Sequence, residues 1–250
     1  MPDSTVLLLL TATFLCVAYL SASVGLGGGS CYTALMAATG FMPVAIPLIS
    51  LTLNLVVTTA GSYQFIRHRH ACWRLITPFL ITSMPAAYLG GSLALPRTWF
   101  YGILLASLII VVIRIFCYQQ TSLGWGLKKW QRLALSLATG AVLGFIAGVV
   151  GIGGGIYLVP LIIIFGLGTE KQAAASGAIF IWLNSIVGLF ARIQHHSMDL
   201  RHFYPLIIVV AIGGFLGATM GATSLKPQTM QKILGGIILV ALCLLTRQFA

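Results

Sequence analysis

Charged residues are scarce in this sequence of 250 residues: they make up 7% of it, and only three of them are acidic. No Asp, Glu, Lys or Arg occurs from Ser4 to Ile66 or from Leu133 to Thr169. Soluble domains carry about 25% charged residues, so this scarcity excludes a soluble fold. Both uncharged runs are longer than the ~20 apolar residues with which a helix crosses a bilayer. The sequence therefore predicts an all-α, polytopic membrane protein.

The sequence motifs of enzymes and cofactor sites are also missing. The chain contains no P-loop, no H-E-x-x-H and no G-x-S-x-G, which are the patterns of nucleotide binding, zinc hydrolysis and serine hydrolysis. Its five cysteines have no metal or disulfide spacing, and we expect them, Cys31 included, to act as small apolar side chains. We predict no catalytic residue, no metal and no cofactor, and hence a protein that is not an enzyme.

The charge that is present is mostly basic and lies in short loops between apolar spans. The net charge of +11 therefore indicates orientation in a membrane, and not nucleic-acid binding. Eight membrane spans are predicted, at Val6–Ser23, Leu48–Ile66, Leu75–Leu95, Trp99–Tyr118, Leu133–Val150, Ala174–Ala191, Phe203–Thr223 and Met230–Leu245.

Orientation follows from the distribution of the basic residues. With the N-terminus in the cytoplasm and eight crossings, ten of the fourteen basic residues fall on the cytoplasmic side. We therefore expect a multi-pass protein of the cell (inner) membrane with both termini in the cytoplasm. The five histidines would lie in loops on that same side, at His68, His70, His195, His196 and His202.

Two glycine clusters interrupt the apolar runs. Gly25–Gly29 reads G-L-G-G-G, and Gly151–Gly155 reads G-I-G-G-G, 126 residues later. A glycine within a helix costs about 1 kcal/mol relative to alanine. Close helix packing explains the regular spacing of Gly140-x-x-x-Gly144-x-x-x-Gly148, but consecutive glycines occupy several faces of a helix. We interpret each cluster as a break, followed by a short apolar segment at 30–39 or 156–166.

The clusters belong to an internal repeat. Asn54 recurs as Asn184 at an offset of 130 residues, close to the offset of the two clusters. We therefore predict two homologous four-helix halves, 1–118 and 131–250, each with a glycine-rich broken helix, joined by a polar loop at 119–130. Four spans per half predict a parallel repeat, whereas crossing by the short segments would make the halves inverted.

The breaks are expected to bind an anion. A helix that starts inside the membrane exposes its first N–H groups, which together with the helix dipole favour negative charge. No cation lies deep in a predicted span, so the donors would be neutral, with Arg67, Arg69 and Arg192 at the mouths. The predicted substrate-binding residues are Gly28, Gly29, Ser30, Asn54, Gly153, Gly154, Gly155, Ile156, Ser176 and Asn184. For the two asparagines, the alternative role is to brace the broken segments.

The paired breaks resemble those of the TauE/SafE family of sulfite and organosulfonate exporters. The resemblance is carried by SVGLGGGSCYTAL, by GFIAGVVGIGGGIYLVPLIIIFGL and by TEKQAAASGAIFIWLNS. It implies a secondary transporter that exports a small sulfur-containing anion, such as sulfite, thiosulfate or sulfoacetate, by alternating access around the broken helices. Its partners would be that anion and the lipid bilayer, with no nucleic acid. A passive anion channel, an intramembrane enzyme and an assembly protein remain as alternatives.

Overall fold

The structure is a computed structural model, and it describes residues 4–23, 26–117, 128–195 and 203–221, together with parts of 235–246. Within these residues all regular structure is helical. In chain order the main helices are α1 (Ser4–Ser23), α2 (Gly29–Ala38), α3 (Ala45–Arg67), α4 (Trp73–Ser92), α5 (Arg97–Cys117), α6 (Lys129–Val150), α7 (Gly155–Ile164), α8 (Glu170–His195) and α9 (Tyr204–Gly221).

The helices follow the apolar runs closely. Seven of the eight predicted spans correspond to one helix each, namely α1, α3, α4, α5, α6, α8 and α9. The eighth, Met230–Leu245, lies largely outside the described residues. The two short segments after the glycine clusters form α2 and α7, of ten residues each. By length and composition, α3, α6 and α8 could each cross a membrane, as expected of a membrane protein.

Helix α4 packs along α6 through the regularly spaced glycines. Gly140 lies against Phe79 and Gly148 against Ala87, with Gly144 between them facing the backbone of α4. The expected packing role of this glycine motif is thus confirmed. Because residue numbers rise together along both helices, α4 and α6 run in the same direction.

Helix α1 packs against α9 in the same manner. Gly213 lies against Leu15, and Gly217 lies against Tyr19. These helices are therefore also parallel to each other, and small residues again permit the close approach of two backbones.

Helices α3 and α8 cross at the centre in opposite directions. Gly188 lies against Leu51 near the start of α3. Further along α3, the indole Nε1 of Trp182 donates to Thr59 Oγ1 over 3.1 Å. As numbers rise along α3 they fall along α8, so the two helices are antiparallel.

Each glycine break turns the chain back. Leu167, which follows α7, lies in one cleft with Leu133 and Leu75, at the starts of α6 and α4. The α6–α7 hairpin therefore returns to the end of the molecule from which α6 began. Similarly, Phe41, which follows α2, contacts Phe203 with ring centroids 6.1 Å apart, beside the first turn of α9. Helix α1 also starts beside the start of α9. The α1–α2 hairpin therefore returns to the end of the molecule from which α1 began.

The helix directions define two ends of the molecule. The basic end contains the starts of α4, α6 and α8 and the last turn of α3, with Arg67, Arg74 and Lys129. The opposite end contains the starts of α3 and α9 and the last turns of α4, α6 and α8. The α1–α2 and α6–α7 hairpins thus enter from different ends of the molecule. Four crossings per half predict two halves of the same orientation, and the two hairpins do not have the same orientation.

This arrangement separates groups that the sequence placed on one side. His68 and His70 follow α3 at the basic end, whereas His195 ends α8 at the opposite end. His196 and His202 lie outside the described residues. Arg67 and Arg192 are likewise at different ends, and Arg192 is buried, with 4% of its surface exposed. Arg192 is thus shielded from solvent at the end of α8, where it donates to carbonyls of the last turn of α6.

Candidate functional site at the two glycine breaks

Both short helices start from a glycine with left-handed backbone. Gly28 precedes α2 with φ 78°, and Gly154 precedes α7 with φ 75°. Gly151 and Gly153 have φ 82° in the same turn as Gly154. Residues with a Cβ rarely adopt this conformation, so these turns require glycine.

The first N–H groups of α2 and α7 lack a cap. Neither Gly28 nor Gly154 has a side chain with which to cap its helix. The carbonyls of these two glycines accept bonds from residues three and four positions further on. Among the described residues no group accepts a hydrogen bond from the earlier N–H groups, which are those of Gly29, Ser30, Gly155 and Ile156. Each helix start therefore presents free donors and the positive end of its dipole.

Asn54 and Ser50 of α3 connect the two turns. Asn54 Nδ2 donates to the carbonyl oxygen of Gly151 over 3.1 Å. Ser50 Oγ lies 2.8 Å from the same oxygen and 3.3 Å from the carbonyl oxygen of Gly29. A Cβ on Gly29 would meet the amide of Asn54 and the carbonyl of Ile152. Both breaks thus meet beside the middle of α3.

A small cavity lies between the helix starts. Its lining includes Gly28, Gly29 and Ser30 from the first break and Ile152 and Ile156 from the second. The other lining residues are Ser21, Leu26, Gly27, Cys31 and Ile181. Its free volume of about 10 Å³ is close to that of one water molecule. We call this space the turn cavity.

The predicted site residues do not all reach the turn cavity. Gly28, Gly29, Ser30 and Ile156 line it, and Asn54 touches both turns. Gly153, Gly154 and Gly155 belong to the second turn and lie against Asn54, Phe180 and Ile181.

Asn184 and Ser176 lie apart from the turn cavity. Asn184 Nδ2 donates to Phe180 O of its own helix over 2.8 Å. Its Oδ1 atom and Ser176 Oγ are buried and have no hydrogen-bond partner among the described residues.

The contribution of Ser50 was not predictable from the sequence. A serine within a helix commonly bonds to the carbonyl of its own preceding turn, and Thr52, Thr58 and Thr59 do so. Ser50 instead reaches across to the second break, which lies about a hundred residues away in sequence. Ser21 and Ile181 were also missed, because no local pattern marks a residue that lines a turn from another helix.

A second, larger cleft opens at the basic end. Its volume is about 350 Å³, and its lining includes Arg74, Lys129 and Arg132 at the starts of α4 and α6. The positive helix ends and the three cations give this cleft a positive potential.

Comparison with known proteins assigns the chain to a family. The family model for the sulfite exporter TauE/SafE matches residues 10–245. The chain belongs to this family. The TauE/SafE match includes both glycine breaks and all the helices that pack around them.

Two relatives are described as membrane transporters. The "Probable membrane transporter protein y4hK" of Sinorhizobium fredii is 35% identical over 235 residues, covering 93% of this chain and 95% of that protein. The "Probable membrane transporter protein YunE" of Bacillus subtilis is 26% identical over 110 residues, covering 44% of this chain and 40% of that protein. No solved structure gives a significant match. The protein is a membrane transporter and not an enzyme.

Proposed function

We propose that this protein is a secondary transporter that moves small sulfur oxyanions or sulfonates by alternating access around the two glycine breaks. The observation that carries the proposal is the meeting of two uncapped helix starts at one cavity beside Asn54. Free N–H groups and two positive dipole ends form a site for negative charge. The donors are neutral, so an anion could leave the site again without breaking a strong ion pair.

The substrate class rests on the family, whose model is described as a sulfite exporter. Sulfite, thiosulfate and sulfoacetate each present oxygens that accept hydrogen bonds from backbone N–H groups. Export is the favoured direction, since an inside-negative potential drives an anion outward by about 2.3 kcal/mol per charge and 100 mV. No additional energy source is needed for that direction.

The binding set that we propose is the one expected from the sequence, with Ser50 added. Gly28, Gly29, Ser30 and Ile156 face the turn cavity as it stands. Asn184 and Ser176 belong to the set in a more open state, because a buried polar atom without a partner costs about 1–3 kcal/mol. An open state that gives these atoms an anion or water removes that cost.

Alternating access follows from an inverted repeat of two halves, 1–118 and 131–250, joined by 119–130. Contacts between the halves support the repeat. Helix α1 of the first half packs on α9 of the second, and α6 of the second half packs in the same way on α4 of the first. Antiparallel crossing of α3 and α8 near Asn54 and Asn184 supports an axis in the membrane plane. Inverted repeats of this kind place the substrate near the membrane centre and expose it alternately to the two sides.

The basic end faces the cytoplasm in this proposal. With the hairpins turning back, Lys171 at the start of α8 joins the basic end, while Arg192 goes to the other. Among the ten basic residues in the described part of the chain, eight lie at the basic end. Eight crossings also place eight of these ten in the cytoplasm, so the count favours outer termini as much as cytoplasmic ones. The directions of the helices, and not the count of basic residues, therefore favour the arrangement with returning hairpins and outer termini. In this arrangement the basic cleft of about 350 Å³ is the cytoplasmic vestibule.

Counterflow of labelled sulfite into proteoliposomes tests the function. Saturable uptake, inhibited by thiosulfate and sulfoacetate but not by lactate, is the expected result. Gly154→Val should abolish it, since the valine would need φ 75° against the ring of Phe180. Gly102→Val is the matched control, because nothing lies within 4 Å of a Cβ there. Flux that does not saturate would indicate a channel, and normal uptake by folded Gly154→Val protein would refute the site.

A further inference from the structure

A buried guanidinium lies directly behind the second glycine break. Arg192, in the last turn of α8, is 4% exposed. Its Nη2 atom donates to Gly148 O over 2.9 Å and to Val149 O over 2.7 Å, and Nε donates to Gly148 O over 3.3 Å. These carbonyls belong to the last turn of α6, two to three residues before Gly151.

The carbonyl bonds give the charge of Arg192 no anionic partner among the residues that the structure describes. Nε and Nη2 make the bonds, and Nη1 makes none with the described residues. Of the three acidic residues, Glu170 begins α8 at the other end of the molecule, and Asp3 and Asp199 lie outside the described residues. A charge taken out of water is expensive unless an opposite charge accompanies it.

Arg192 also lines a space of its own. A cavity of about 20 Å³ lies at the opposite end, between the start of α3, the connection from α4 to α5 and the end of α6. Arg192 is its only cationic lining residue among those described, and the other walls include Val44, Leu95 and Phe100. An anion in this cavity would lie next to the guanidinium and near the second break.

The two halves differ at this position. At the offset of 130 residues that relates Asn54 to Asn184, Arg192 corresponds to Ser62 of α3. Ser62 is buried, and its Oγ has no hydrogen-bond partner among the described residues. A cation is therefore present near one end of the molecule, and a neutral hydroxyl occupies the equivalent position near the other end.

We propose that Arg192 binds the transported oxyanion at the opposite end of the path, between the turn cavity and the outside. The guanidinium exchanges a carbonyl of α6 for the oxyanion as the anion passes, which also frees the last turn of α6 next to the break. This inference rests on the proposed transport function. It makes the outward-facing site the more strongly binding one.

The test compares three variants in counterflow and in binding. Arg192→Gln removes the charge but keeps donors for Gly148 O, whereas Arg192→Lys keeps the charge. Arg97→Gln is the matched control, since Arg97 is an exposed cation at the same end, 5.6 Å from the ring of Tyr101. Binding is measured as the rise in thermal unfolding midpoint of detergent-solubilised protein on titration with sulfite.

The expected result is an increase of KM and of apparent sulfite Kd by about tenfold or more in Arg192→Gln, as for a lost charged hydrogen bond. Arg192→Lys should show a smaller increase, and Arg97→Gln none. A purely structural arginine would instead lower the unfolding midpoint of Arg192→Gln and leave KM and Kd unchanged, which overturns the inference. Asp199→Asn should keep the wild-type unfolding midpoint, and a fall in that midpoint would identify Asp199 as the resident partner of Arg192 and overturn the inference as well.

The two proposals fail differently. Wild-type protein that shows neither counterflow nor an anion-dependent midpoint overturns the transport function and this inference together. Wild-type transport that Gly154→Val abolishes but Arg192→Gln leaves unchanged in KM overturns the inference alone.

Discussion

Asn54 is the side chain on which both glycine breaks depend. Its amide bonds to Gly151 O and lies within contact distance of the first break at Gly27 and Gly29. Asn184, its counterpart in the repeat, bonds to Phe180 of its own helix and to no other side chain or backbone group in the described ranges. The two asparagines occupy equivalent positions of the repeat but have different surroundings. Their substitution should therefore affect stability to different extents.

Asn54→Ala should destabilise the protein and reduce transport together. The change removes a bond to a buried carbonyl between two turns, which we expect to cost about 1–3 kcal/mol. Asn184→Ala is the matched control and should cost less, because Phe180 O keeps its bond within the helix. Thermal unfolding in detergent and sulfite counterflow measure the two effects. Equal loss of stability in both variants would contradict the bracing role of Asn54.

At the scale of helices, glycine performs two separate tasks. In the breaks it supplies left-handed backbone, whereas in α6 and α9 it lets a neighbouring backbone approach. A Cβ on Gly144 would meet the backbone of Ser83, and one on Gly217 would meet that of Tyr19. Both contacts join helices from different halves, so the glycines of α6 and α9 allow the two halves to pack against each other.

Gly144→Ala should therefore destabilise the protein by about 1–3 kcal/mol, as overpacking does. Gly102→Ala should have the opposite sign or no effect, since Gly102 has open space around it and alanine favours the helix by up to about 1 kcal/mol. Unfolding midpoints of the two variants in the same detergent give the comparison. If the unfolding midpoints of both variants shift in the same direction, the absence of a side chain at Gly144 is not needed for helix packing.

Helix positions were predictable from the sequence, and helix directions were not. Uncharged runs fixed α1, α3 and α6 to within a few residues, and the clusters Gly25–Gly29 and Gly151–Gly155 marked the breaks. Hydropathy does not indicate the direction of a helix, however. It therefore does not distinguish a hairpin that returns to its starting side from a segment that crosses the membrane.

Within the site, the local signals marked the backbone donors and Asn54. The roles of Ser50 and Arg192 depend on carbonyls more than forty residues away, for which a single sequence offers no pattern. Arg192 in particular reads as a residue at the mouth of a span, since nothing in the sequence indicates that α6 ends beside it.

For the whole molecule, the decisive question is which end faces the cytoplasm. An arrangement of eight crossings and the arrangement of two returning hairpins both place eight of the ten described basic residues inside. They differ at α8, which begins at the basic end and carries Lys171 in its first turn and His195 in its last. With returning hairpins, Lys171 is cytoplasmic and His195 is outside, and eight crossings give the reverse.

Single cysteines at these two exposed positions distinguish the arrangements. In a variant without its native cysteines, we expect His195→Cys to react with a membrane-impermeant maleimide in intact cells. Lys171→Cys should react only after the membrane is opened. Met42→Cys, at a residue 67% exposed between α2 and α3, lies outside in both arrangements and serves as the positive control. Reaction of Lys171→Cys in intact cells, with His195→Cys protected, would show that α6 and α7 cross the membrane together. The inverted repeat, and the outward position of Arg192, would then be wrong.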